Sequence, residues 1–240
     1  MERIEGDATL LMSQWLQESL VGNLSPEELQ QLLQDLNEQS GGSTVLDSAP
    51  TIVRESLLFP YQQGQIFVQE LYTAGGWPAV TAALSDPPTS TEQILHPEKY
   101  TGATRDEPNL PERFDLTGAL GGGWTTATTN TLGEFDLQVM LRDLGVPTAE
   151  ANAAAAGIGG IRYTMYEDAS QTPLLQLAAR WDTPGDGDEF LQALRGKLAA
   201  AGDLFQRDDV LIGIKGGGQE FTILFSPDEA ALTAALAALP

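Results

Sequence analysis

Three features of the sequence predict an α+β protein, helical in its first half and antiparallel α+β in its second. Apolar residues recur at helical spacing through about the first hundred positions. A polar stretch with Pro108 and Pro111 follows. Beyond it, alternating apolar residues and glycine-rich turns take over. This places the boundary within residues 101–115, giving a helical domain over 1–115 and a sheet-containing domain over 116–240.

The chain opens in a helical pattern, with Ile4, Ala8, Leu11, Met12 and Trp15 on one side and no capping residue before them. A helix start without a cap leaves N–H groups unsatisfied, so this end reads as a fragment of a longer chain. Met1–Asp7 has neither the basic start nor the apolar stretch of a signal peptide. Next, Ser25 caps, Pro26 takes the first helical position and Glu28 completes a capping box. Leu29, Leu32, Leu33 and Leu36 then form a packing stripe, and Ser40-Gly41-Gly42-Ser43-Thr44 is a flexible connection. Helical signals return from Pro50 to Leu71, with an interruption expected at Pro60 and an end at Gly75-Gly76. Trp77–Leu84 predicts a further short helix. Ser90 to Leu95 predicts a capped helical turn stopped by Pro97.

In the second half, Thr125–Thr131 reads as a strand, and Glu134–Leu144 and Ala149–Ala156 as helices. Tyr163–Tyr166 and Leu174–Trp181 read as paired strands, the second with Leu175, Leu177, Ala179 and Trp181 on one face. Gly185–Ala200 predicts a helix. Val210–Lys215 and Phe221–Phe225 form a hairpin around Gly216-Gly217-Gly218, and Pro227 opens a closing helix.

Composition narrows the function classes. The 240 residues carry 12 Lys and Arg against 34 Asp and Glu, a formal charge of −22. Phosphate recognition needs clustered cations, so nucleic acid is excluded as a partner, and anionic membranes are disfavoured. No apolar run approaches the ~20 residues that span a bilayer, so no membrane span is expected. With no cysteine, thiolate catalysis and Cys-ligated metals are ruled out. The single histidine, His96, cannot build a multi-histidine zinc site. Asp182, Asp186, Asp188 and Glu189 suggest a calcium site, but their spacing fits no EF-hand, and Asp residues before a helix commonly cap it. None of the three glycine runs precedes the Lys-Ser/Thr pair of a phosphate loop.

Two segments carry a more specific signal. The first is Ile4-Glu5-Gly6-Asp7-Ala8. The second runs from Phe59-Pro60-Tyr61 through Gly75-Gly76-Trp77 to Ser90-Thr91-Glu92-Gln93-Ile94-Leu95-His96-Pro97-Glu98-Lys99-Tyr100. Together they resemble bacterial, often exported, gluzincin-like zinc metallopeptidases, and the likeness continues through Leu132-Gly133-Glu134 and Trp181-Asp182-Thr183. The resemblance implies a helical, zincin-like first half with Glu5 as third zinc ligand. It also implies an extracellular or cell-envelope location. The family's HExxH segment, with two zinc histidines and the Glu that activates water, has no counterpart in these residues. This chain alone is therefore expected to be catalytically inactive, a pseudoenzyme-like portion with Glu5 as an orphaned ligand. Zinc would be its cofactor only where a longer native form supplies HExxH. His96 is the candidate catalytic residue, facing the cleft to stabilise an oxyanion or orient substrate; the other reading has its ring bonded to local backbone. Glu92 is a helix-start carboxylate or a general base. The alternative function is a non-enzymatic exported or cell-envelope binding protein for a peptide or protein ligand. A homodimer through the 1–20 helix is expected in either case.

Overall fold

The computed structural model describes residues 6, 8, 10–12, 48–103 and 105–240. Glu5, the Ser25-capped helix with its leucine stripe and the Ser40–Thr44 connection lie outside the described residues. The class is α+β, built as two compact units: Met1–Thr89 with Gln93–Arg105, and Ser90–Glu92 with Asp106–Pro240.

In the first unit, Gly6, Ala8 and Leu10 to Met12 are helical. The dominant element is α1 (Thr51–Ser85), followed by α2 (Thr91–Leu95), whose first two residues belong to the other unit, and α3 (Pro97–Thr101). The interruption expected at Pro60 does not occur. The only non-helical backbone inside α1 is at Gly75 and Gly76, where φ is −154° and 64°. A proline inside a helix removes one hydrogen bond and costs about 3 kcal/mol. Burial of Phe59, Gly64, Phe67, Val68 and Leu71 around it carries the helix through. The kink falls where glycine can take positive φ, so the break is set by backbone freedom and not by the proline. α2 ends at Leu95, ahead of the stop expected at Pro97, and Pro97 also opens α3 at its first position.

The second unit holds a seven-stranded sheet. In chain order come α4 (Thr117–Leu120), β1 (Thr125–Leu132), α5 (Glu134–Asp143), α6 (Thr148–Ala155), β2 (Ile158–Glu167) and β3 (Pro173–Trp181). Then follow α7 (Pro184–Arg195), β4 (Ala199–Ala201), β5 (Leu204–Arg207), β6 (Val210–Gly217), β7 (Glu220–Ser226) and α8 (Glu229–Ala238). Strand order is β1-β2-β3-β7-β6-β5-β4, with every neighbouring pair antiparallel. Two meanders, β1–β3 and β4–β7, thus join edge to edge where β7 docks beside β3.

Strand alternation sorts the core into two layers. Leu177, Ala179 and Trp181 of β3, with Phe221 and Ile223 of β7, pack under α5, α6 and α7. Leu174 of β3, Tyr166 of β2 and Leu224 of β7 point the other way and meet Leu116 and α8. The helix expected over Gly185–Ala200 ends at Arg195, and Ala199–Ala201 pairs with Leu204–Arg207 as an edge strand. Alanine favours helix, but pairing at a sheet edge overrides it here. Residues 106–115, placed with the helical half by the sequence, go with the sheet, because Asn109 N–H donates to the Gly159 carbonyl at 2.7 Å. Among the described residues, no helix is long and apolar enough to cross a membrane.

Candidate functional site

Several of the residues on which the expected resemblance rests pack locally within the helical unit. Gly6 is buried, and a methyl group on it would overlap the Gly64 carbonyl of α1. A glycine is required for so close an approach. His96 sits at the N-cap of α3 without a side-chain capping bond, and its Nδ1 lies 3.8 Å from Glu98 Oε1. Its side chain is about one-third exposed. The idiosyncratic block around it works as a clasp. Buried Gln93 accepts the Thr89 N–H at 2.8 Å, and Tyr100 O–H donates to the Asp86 carbonyl at 2.6 Å. Tyr100 meets Phe67 edge to face at 5.2 Å and carries the Arg105 guanidinium 4.7 Å from its ring centre. Arg105 in turn pairs with Asp86 at 2.9 Å and bonds the Pro87 carbonyl.

Among the described residues, a single group of three metal-competent side chains comes together: Glu92, Asp106 and Asp182, with ligand oxygens within 4.8 Å of one another. All three belong to the sheet unit, and Glu92 is 5 % exposed. This donor set is all carboxylate, suited to a hard cation such as calcium or magnesium; it does not fit zinc, which favours histidine nitrogen. His96 is not in it. None of the three residues is without a partner.

The expected calcium group disperses. Asp186 accepts the Thr183 N–H at 2.9 Å as half of a capping box on α7. Asp188 accepts the Gly218 N–H at 2.9 Å, tying α7 to the β6–β7 turn. Only Asp182 joins a carboxylate cluster, and its companions come from positions 92 and 106.

A second site lies on the α8 side of the sheet. Residues 109–114 cross the strands as a strap. Arg180 Nη1 donates to Asn109 Oδ1 at 2.8 Å, and Arg162 Nε donates to the Pro111 carbonyl at 3.3 Å. Between the strap, the sheet and Leu239 of the α8 end lies a groove of about 400 Å³. Three of the chain's 12 basic residues line it: Arg113, Arg180 and Lys215. Arg180 is held by Glu220 at 2.7 Å. The side chains of Arg113 and Lys215 make no hydrogen bond or ion pair among the described residues, though the charge of Arg113 helps the Thr117 N–H to hold the exposed Asp115 carboxyl below its usual range.

The groove floor is Gln176, 2 % exposed. Its orientation follows from a relay: Leu116 N–H donates to Tyr166 Oη at 3.1 Å, and Tyr166 O–H donates to Gln176 Oε1 at 3.0 Å. Burial pushes the Tyr166 phenol up, only partly opposed by the Leu116 N–H, so it remains a donor at neutral pH. The sequence reading followed the Leu175–Trp181 face of β3 and passed over Gln176, Ala178 and Arg180. The available signal was a polar residue alternating with apolar ones on a strand with both faces covered.

Residues 122–236 are similar to a family described as a domain of unknown function, DUF8575. That span contains the sheet and the groove floor but neither the strap nor Glu92 and Asp106. No curated protein and no solved structure matches the chain.

Proposed function

We propose that the chain is part of a gluzincin-like metallopeptidase relative, catalytically incomplete as it stands, with Glu5 as a zinc ligand whose two histidine partners come from another segment. The observation that carries this reading is the close crossing of Gly6 and Gly64, which gives the Glu-Gly-x-Ala helix a packing reason for its glycine. Zinc needs about three protein ligands, and a single carboxylate does not hold it. The reading extends to an extracellular or cell-envelope setting and to a homodimer through the first helix, where Leu11 and Met12 are 57 % and 58 % exposed.

The test uses protein isolated intact from its source cells. Stoichiometric zinc with chelator-sensitive casein hydrolysis, lost in Glu5→Gln, supports the peptidase reading. Zinc-free, inert protein overturns it, as does Glu5→Gln with undiminished activity. The 240-residue chain itself is expected to bind no zinc tightly and to leave casein intact. A monodisperse monomer in light scattering at high concentration sinks the homodimer.

The groove under the 109–114 strap favours a second reading, in which the sheet unit is a non-enzymatic binding module. The two combine naturally: a peptidase lobe with an attached ligand-holding domain.

A further inference from the structure

We infer that the groove under the strap is a binding site for a small organic carboxylate with an apolar or aromatic body. Gln176 carries the argument. Its Oε1 is occupied by the Tyr166 hydroxyl, so its amide N–H groups face the groove. Among the described residues no acceptor meets them. The nitrogen is reached from the groove, and a donor held in a fixed direction at a groove floor is a place for a ligand oxygen.

Charge points the same way. On a chain of net charge −22, unpaired cations are scarce, yet Arg113 and Lys215 both line this groove with no ion-pair partner among the described residues. Arg180 is neutralised by Glu220 and acts as a strut for the strap instead. Two cations and an amide converging on one concavity suit a planar, singly charged carboxylate. Phosphate is served better by helix N-termini or bidentate arginine forks, and neither lines this groove. The lining also holds Glu112, Thr222 and the Arg180-paired Glu220, while Phe114, Ala178 and Leu239 offer an apolar surface for the ligand body. A volume near 400 Å³ falls within the range of small-molecule sites.

This inference rests on the binding-module reading of the sheet unit, and its failure leaves the zinc and casein test unaffected. The experiment titrates the full chain with three probes, N-acetylphenylalanine, N-acetylphenylalanine amide and inorganic phosphate, following backbone amide shifts by NMR. The acid is expected to shift Gln176, Thr222 and Lys215 signals and to bind at least about tenfold more tightly than the amide. Lys215→Met and Arg113→Met are exposed changes that should leave thermal unfolding unaltered. Each should weaken the acid several-fold, and high salt should do the same. Equal binding of acid and amide overturns the carboxylate assignment, as does an affinity unchanged in the double variant. Phosphate binding without the acid reduces the groove to an inorganic-anion site, and no shift from any probe removes the site altogether.

Discussion

Thr91 Oγ1 accepts the N–H of Phe135 at 3.3 Å, standing in for the side chain that Gly133 lacks at the N-cap of α5. A methyl group on Gly133 would overlap that same oxygen. The cap of one helix is therefore supplied by a residue 44 positions earlier, and the glycine is the space it needs. Thr91→Ala should lower stability by about 1 kcal/mol, the usual worth of a helix cap, with Thr91→Ser largely retaining it. Gly133→Ala should cost more, about 1–3 kcal/mol from overpacking. In the Thr91→Ala background the overlap is gone, so the double variant should cost less than the sum of the two singles. Denaturant unfolding of the four proteins decides this, and simple additivity would refute the shared-space account.

Asp136 gives a pH-dependent test of the same helix start. Its Oδ2 accepts the Gly133 N–H at 2.8 Å, yet burial outweighs the backbone hydrogen bonds and pushes the carboxyl above its ordinary range. A raised folded-state pKa means the folded chain holds the proton more tightly than the unfolded chain. Stability from this group is thus fully present in acid and falls as pH rises through the folded pKa. Asp136→Asn keeps an acceptor and removes the charge. It should equal or exceed the parent in stability at pH 7, with the difference closing as pH drops through the ordinary carboxylate range. An asparagine variant clearly weaker at neutral pH would show that the favourable helix dipole outweighs burial.

The strands that were legible in the sequence are those whose alternation has an apolar partner across the ladder. Leu175, Leu177 and Ala179 face Phe225, Ile223 and Phe221, and both strands read as such from their own residues. Ala199–Ala201 did not, because three alanines carry no strand signal and their pairing with Leu204–Phe205–Gln206 is a tertiary fact. Pro60 misled for the matching reason, since its cost is local and its compensation comes from distant burial. The candidate sites were less legible still. Glu92, Asp106 and Asp182 lie up to 90 positions apart, and Asp186 and Asp188, adjacent to one of them, are consumed by a cap and a turn. The groove depends on which way one buried glutamine points, and that is fixed by a tyrosine on the neighbouring strand.

That tyrosine is the third test. Tyr166 is buried and serves both as acceptor for the Leu116 N–H and as donor to Gln176. Tyr166→Phe keeps the ring and leaves a buried N–H and a buried amide oxygen each without a partner. Each orphaned group costs roughly 1–3 kcal/mol unless water enters. The variant should unfold at visibly lower denaturant with an unchanged slope. A midpoint equal to that of the parent would mean that the relay contributes nothing net.

Two glycines of the helical unit separate steric from conformational requirement. At Gly6 the demand is space, because the residue is helical and a Cβ on it would overlap the Gly64 carbonyl of α1. At Gly76 the demand is conformation, because φ is 64° and the nearest atom to an added Cβ is Pro78 Cδ at an ordinary 3.6 Å. Gly6→Ala should therefore destabilise by overpacking, about 1–3 kcal/mol, and no choice of larger residue should relieve it. Gly76→Ala should cost about 1 kcal/mol, and Gly76→Asn should cost less than alanine, since asparagine tolerates the left-handed region. Thermal unfolding of the three variants measures both effects. If Gly6→Ala is neutral, the backbones do not approach there at contact distance, and the packing argument for the glycine of the Glu-Gly-x-Ala motif falls with it.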